Sequence, residues 1–139
     1  MNFSRKDYPL AEKRPDAIRG KRGKPISALT LDAVIDGNVT IEDLRITPQA
    51  LNAQAGVARS AGRPRLAENF ERAAELVDVP QDEIMAVYEL LRPGRATRRE
   101  QLLDAARRMR ETYKALKIAA FIEEAAEVYE IRGLFKKRF

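Results

Sequence analysis

From Thr30 onward, apolar side chains return every three or four positions almost without a break, and no segment alternates in the manner of a strand. That period predicts an all-α chain, a small helical domain of several packed helices. Thr30 caps a short helix over LDAVI that ends at Asp36-Gly37, and Thr40 with Asp43 makes a capping-box variant over TIEDL. Thr47-Pro48 sets an N-cap before proline at the first helical position, opening a helix that runs to about Ala61 and stops at Gly62. Its stripe of Leu51, Ala55 and Ala58 is narrow enough for close helix approach. In the next helix Leu66, Phe70, Ala73 and Val77 point inward, with Glu68, Glu71, Arg72 and Glu75 largely opposite. Pro80 opens a helix whose inner face is Ile84, Val87, Tyr88 and Leu91. Thr97 and Glu100 form a capping box for a helix with Leu102, Ala106, Met109 and Tyr113 inside. A last helix, with Ile118, Ile122, Ala125 and Tyr129 inward, runs to Gly133; the period leaves open whether Tyr113 to Lys117 bends the chain.

Residues 1–28 have neither period. With three prolines, two glycines and many charges they read as an irregular basic N-terminal arm before a helical domain over 29–139, a single domain overall. At 139 residues, with nine aromatic side chains, no tryptophan and an apolar fraction swollen by alanine, the core is thin, which suits a chain that leans on a partner. The net charge of +5 suggests nucleic acid until it is divided along the chain: residues 1–25 hold eight Lys and Arg against three Asp and Glu, and the remainder holds eighteen of each. The surplus belongs to the arm alone.

With no cysteine and no histidine, disulfides and the usual zinc, haem and iron-sulfur ligands are absent, as is the commonest acid-base catalyst near neutrality. The longest purely apolar run, Ile118 to Ile122, is far below the roughly 20 residues that span a bilayer, and MNFSRKDY lacks the hydrophobic segment of a signal peptide. A cytoplasmic protein without membrane contact is expected. GKRGKP lacks the preceding strand and Gly-Lys-Ser/Thr ending of a phosphate-binding loop, so it reads as a flexible, solvated basic segment. Glu71 with Glu75, and Glu123 with Glu127, share helix faces but alternate with cations and read as solvated. The serines Ser4, Ser27 and Ser60 have no elbow or base near them in sequence, and no catalytic residue is identified. Two arginine-bearing seams stand out, with Arg63 and Arg65 in AGRPRLAENFERAAEL and Arg92 and Arg95 in LRPGRATRRE. Matched by acid and placed at helix ends, these guanidinium groups suit carbonyls or carboxylates, within the chain or across a subunit interface, better than phosphate.

DYPLAEKRPD (Asp7 to Asp16), LTLDAVIDGNVTIEDLRITPQAL (Leu29 to Leu51), AGRPRLAENFERAAELVDVPQDEIMAVYELLRPGRAT (Ala61 to Thr97) and AAFIEEAAEVY (Ala119 to Tyr129) resemble, in order and over nearly the whole chain, the small (gamma) subunit of adenosylcobalamin-dependent diol and glycerol dehydratases. That resemblance implies an enzyme built as a dimer of three-subunit units, which converts propane-1,2-diol or glycerol to the aldehyde with loss of water. It implies that adenosylcobalamin is bound by the large (alpha) and medium (beta) subunits, and that the small chain packs on the large one and supplies no catalytic residue. The arginine seams, with Tyr8 and Pro9 in the arm, are then the expected interface elements. In this chain DYPLA follows only six residues, so the sequence lends no support to packaging in a protein-shelled compartment. The end, GLFKKRF, is more apolar than the charged tails of the family, so Phe135 and Phe139 are expected either to meet another surface or to pack back. The competing expectation is a free-standing helical adaptor or regulator using its basic arm on an acidic partner or nucleic acid.

Overall fold

The computed structural model describes residues 2–136. Among them the regular structure is helical: three short 3-10 turns, Arg5–Asp7, Pro15–Ala17 and Ile26–Ala28, and the helices α1 (Leu10–Lys13), α2 (Leu31–Ile35), α3 (Ile41–Leu44), α4 (Pro48–Ser60), α5 (Pro64–Leu76), α6 (Gln81–Leu91), α7 (Arg99–Glu111) and α8 (Leu116–Ile131). The nearest approach to a strand among the described residues is an isolated antiparallel bridge between Arg19 and Pro25. The chain forms two compact units, Met1–Val77 and Asp78–Phe139.

The first unit is organised around α4, which starts where Thr47 Oγ1 accepts a hydrogen bond from the Ala50 N–H at 3.2 Å. One side of α4 packs Ala55 and Ala58 against Ala67 of α5, with Phe70 closing the cluster. Because alanines meet there, α5 turns its Ala67–Phe70–Ala74 line inward, and Leu66, expected inside, is 37% exposed. The other side of α4 carries a second cluster that the stripe did not announce: Ala53 and Val57 bury Leu10 of α1, flanked by Phe3 and Ile18. The N-terminal segment thus lies along its own helix. Gly56 makes room for it, since a Cβ there would sit 3.0 Å from the Phe3 carbonyl oxygen. Arg5 N–H also donates to Ser60 Oγ at 2.5 Å.

In the second unit α7 and α8 form an antiparallel pair around Leu102, Ala105, Ala106, Met109, Ala119, Ile122 and Ala126, all fully buried. The chain bends between them. Lys114 takes a left-handed conformation, φ +56°, and the Ala115 N–H reaches back to the Met109 carbonyl at 2.9 Å, closing α7. The start of α7 lies one residue later than expected. Arg98 is its N-cap, and Gln101 Oε1, rather than Glu100, accepts from the Thr97 and Arg98 N–H groups at 2.8 and 3.0 Å. Tyr88, expected inside α6, is 56% exposed, while Val87 is buried. Tyr129 OH donates to the Leu91 carbonyl oxygen, and its ring meets Phe135 at 6.2 Å, so that tail aromatic packs back. Phe139 lies outside the described residues.

Candidate interface surfaces

The lysine- and arginine-rich turn of the arm is ordered by one carboxylate. Asp43, in α3, has a fully buried side chain. Arg22 Nε donates to Asp43 Oδ1 at 2.8 Å while its Nη2 donates to Oδ2, a two-pronged pair. The Thr40 N–H donates to the same Oδ2 at 2.9 Å, and Lys24 Nζ stands 4.0 Å from it. Arg22 Nη2 also donates to the Asn38 carbonyl oxygen at 3.1 Å, joined there by Lys24 Nζ. The Arg22 hydrogen bonds, with the Thr40 N–H, hold the Asp43 carboxyl well below the usual carboxylate range against the opposing effect of burial, and the same contacts raise Arg22. Gly20 lets the turn close, because a Cβ there would lie 2.5 Å from the Asp43 carbonyl oxygen. GKRGKP is therefore not the flexible, solvated segment expected from composition. Its two partners are twenty-one positions apart, a pairing invisible to local pattern.

With the carboxylate inside, the apolar residues of α2 and α3 are outside. Leu31, Val34, Ile35, Ile41, Leu44 and Ile46 are all exposed, inverting the usual sense of an amphipathic helix. Asp43 was expected only as a capping-box partner, a role it keeps through Thr40. Its burial became legible only with Arg22 in place.

The interface residues expected from the sequence fall into separate environments. Tyr8 is 61% exposed, and Pro9, joined to it by a cis peptide bond, is half-buried above the buried Leu10. Asp7 anchors this corner: its carboxylate accepts from the Ser4 N–H at 2.8 Å and pairs with Arg14 at 3.2 Å, contacts that lower its pKa. Arg63 and Arg65 are exposed at the start of α5, and among the described residues their side chains form no ion pair. In the other seam, Arg92 Nη1 lies 3.0 Å and Arg95 Nε 3.7 Å from the Glu89 carboxylate, so these two guanidinium groups converge on one acid at the end of α6. Among the carboxylates read as solvated, Glu71 and Glu123 are engaged by arginine. Glu71 pairs with Arg59 at 2.5 Å, and Glu123 receives both Nη atoms of Arg110, the second at 3.0 Å, which lowers the Glu123 pKa.

No three acidic side chains converge on a metal position among the described residues, and the sequence holds no histidine or cysteine to ligate the cobalt of a corrin. No helix among the described residues is long and apolar enough to cross a membrane. An open depression of about 490 Å³ between the N-terminal residues Asn2 and Phe3 and α4 is lined by Ser60 and by the Arg59–Glu71 pair; the Ser60 hydroxyl donates to the Val57 carbonyl at 3.0 Å and accepts from the Arg5 N–H at 2.5 Å, and the Glu71 carboxylate is held by Arg59.

Apolar side chains held outward over an ordered ionic interior make a surface of the kind that marks an interaction site. The comparisons say what kind of protein carries it. Residues 3–136 match the dehydratase small-subunit family. The propanediol dehydratase small subunit of Salmonella typhimurium is 47% identical over 130 residues, covering 94% of this chain and 75% of that protein. The propanediol dehydratase small subunit of Citrobacter freundii is 45% identical over the same coverage. The chain belongs to the dehydratase small-subunit family, and its role is that of a small subunit beside partner subunits.

Proposed function

We propose that this chain is the non-catalytic small subunit of an adenosylcobalamin-dependent diol or glycerol dehydratase. It supports a large subunit that converts propane-1,2-diol or glycerol to the aldehyde with loss of water. The observation that carries the reading is the match over residues 3–136 together with relatives at 45–47% identity that bear the name propanediol dehydratase small subunit. On this reading adenosylcobalamin belongs to the large and medium subunits, and the assembly is a dimer of three-subunit units in the cytoplasm. The chain's own work is mechanical: it stiffens the outside of a subunit whose radical intermediates must be kept from water. Arg63 and Arg65, exposed and without ion pairs among the described residues, are the expected arginines to reach a neighbouring subunit, with Tyr8 and Pro9 in the arm. Arg92 and Arg95 are already directed at Glu89 and serve the end of α6 first.

The adaptor reading relied on a free basic arm. Arg14 on Asp7, Lys21 on Glu42 at 3.9 Å, and Arg22 and Lys24 on Asp43 engage four of the eight cations of residues 1–25, so half of the arm's basic charge is already directed at carboxylates and not at phosphate. Co-expression of this chain with its large and medium subunits, followed by size-exclusion chromatography, tests the proposal. A single three-subunit particle is the expected result, and elution of this chain alone would overturn it.

A further inference from the structure

On α2, Leu31, Val34 and Ile35 stand at i, i+3 and i+4; on α3, Ile41 and Leu44 stand at i and i+3, with Ile46 just beyond. Each is exposed, from 48% at Val34 to 75% at Leu31. Single exposed apolar residues are ordinary on a protein surface, but six within sixteen positions, set at helical spacing on two consecutive helices, form a face. The face is held in place. The clamp of Arg22 and Lys24 on Asp43 secures the inner side of α3, and the Val39 N–H, donating to the Ala33 carbonyl at 3.0 Å, ties the connecting turn back to α2.

The charges around the face say what fits on it. Asp32 and Asp36 flank the apolar positions of α2, are exposed, and among the described residues make no ion pair. The cations near the face are already directed at its other acids: Arg45 is held by Glu42 at 3.1 Å, Lys21 stands 3.9 Å from the same carboxylate, and Arg22 and Lys24 are turned onto Asp43. A second copy of this chain would bring the same anionic rim to the contact. A different protein surface, apolar at its centre and edged with Lys or Arg, complements it.

Resting on the small-subunit reading, we propose that the outward face of α2 and α3 is where this chain docks on the large subunit of its dehydratase, against an apolar patch edged by cationic side chains. Each leucine or isoleucine fully covered there carries roughly tenfold or more in affinity.

The test compares the wild-type chain, the double variant I35K/L44K and the control I131K, each full-length and co-expressed with the large and medium subunits. Ile35 and Leu44 are already 72% and 57% exposed, so the free double variant is expected to melt with the wild type. Ile131, 79% exposed at the end of α8, belongs to the other compact unit and is eighty-five positions beyond Ile46 in sequence. Wild type and I131K are expected to assemble alike, I35K/L44K to bind on the order of 100-fold more weakly, and amide exchange over residues 31–46 to slow in the particle. If wild type assembles and I35K/L44K binds within threefold of it, the face assignment is wrong while the small-subunit reading stands. If wild type does not assemble, both fail. If the free chain dimerises and I35K/L44K makes it monomeric, a second copy covers the face and the proposal is overturned.

Discussion

Replacing Gly20 with alanine probes the device that turns the arm inward. The new Cβ would lie 2.5 Å from the Asp43 carbonyl oxygen and 3.3 Å from its carbon, where ordinary contact begins at 3.4 Å. Both atoms are backbone in α3, so no flexible side chain can yield, and the turn must retreat by roughly 1 Å. A retreat of that size takes Arg22 Nε, now 2.8 Å from Asp43 Oδ1, beyond hydrogen-bonding range. Forced displacement of well-packed groups destabilises by about 1–3 kcal/mol. In a unit of this size each kcal/mol moves the melting temperature by about 4–8 °C, and about 2 kcal/mol therefore corresponds to a fall of about 8–16 °C. Far-UV circular dichroism of the full chain reads this directly, with Gly23→Asn as the comparison. Gly23 has φ +81° with nothing within 4 Å of an added Cβ, and asparagine tolerates that conformation, so its melt is expected to stay within about 2 °C of wild type. A Gly20→Ala melt within the same 2 °C, or an equal fall for both variants, would refute the steric argument.

Lys114→Gly should stabilise the second unit by about 1 kcal/mol, because a left-handed lysine is strained; part of the gain is offset by the bond from Lys114 Nζ to the Glu111 carbonyl. A lower denaturation midpoint would count against the strain. Asp7, Asp43 and Glu123 all have pKa values lowered in the fold, so their contribution is present above the unfolded carboxylate values and fades as pH drops through the folded ones. Thermal stability should be flat from pH 7 to 5 and decline below about pH 4. Asp43→Asn should show a smaller decline, and an equal or steeper one would contradict the assignment. Ile122→Ala, at a fully buried site in α8, should destabilise by about 2–5 kcal/mol, whereas Arg63→Ala with Arg65→Ala should change the free chain by less than about 0.5 kcal/mol while weakening assembly. Unchanged co-elution of the double arginine variant would remove those side chains from the interface.

What the sequence made legible was what neighbours in sequence decide. Thr30, Thr47 and the proline at position 48 begin helices where a cap and a fixed φ require it, and the period of α8 identified Ile118 and Ile122 as core. Errors arose where a distant partner sets the outcome. Leu66 is the larger apolar side chain, but the alanine seam of α4 draws Ala67 inward and rotates α5. Thr97 looked like the cap of α7, yet Gln101 reaches both the Thr97 and Arg98 N–H groups and settles the start one residue later. The arm looked unstructured because its period is broken by proline. Its order comes from Leu10 on α4 and Arg22 on Asp43, contacts that no window of a few residues contains. For the same reason the outward face of α2 and α3 was invisible: LDAVI and TIEDL read as ordinary amphipathic pieces until Asp43 occupied the inside.

The most direct measurement is adenosylcobalamin-dependent aldehyde formation from propane-1,2-diol and from glycerol by large and medium subunits expressed with and without this chain. Turnover and a stable three-subunit particle are expected only when it is present. Equal assembly and equal turnover without it would contradict a supporting role in catalysis.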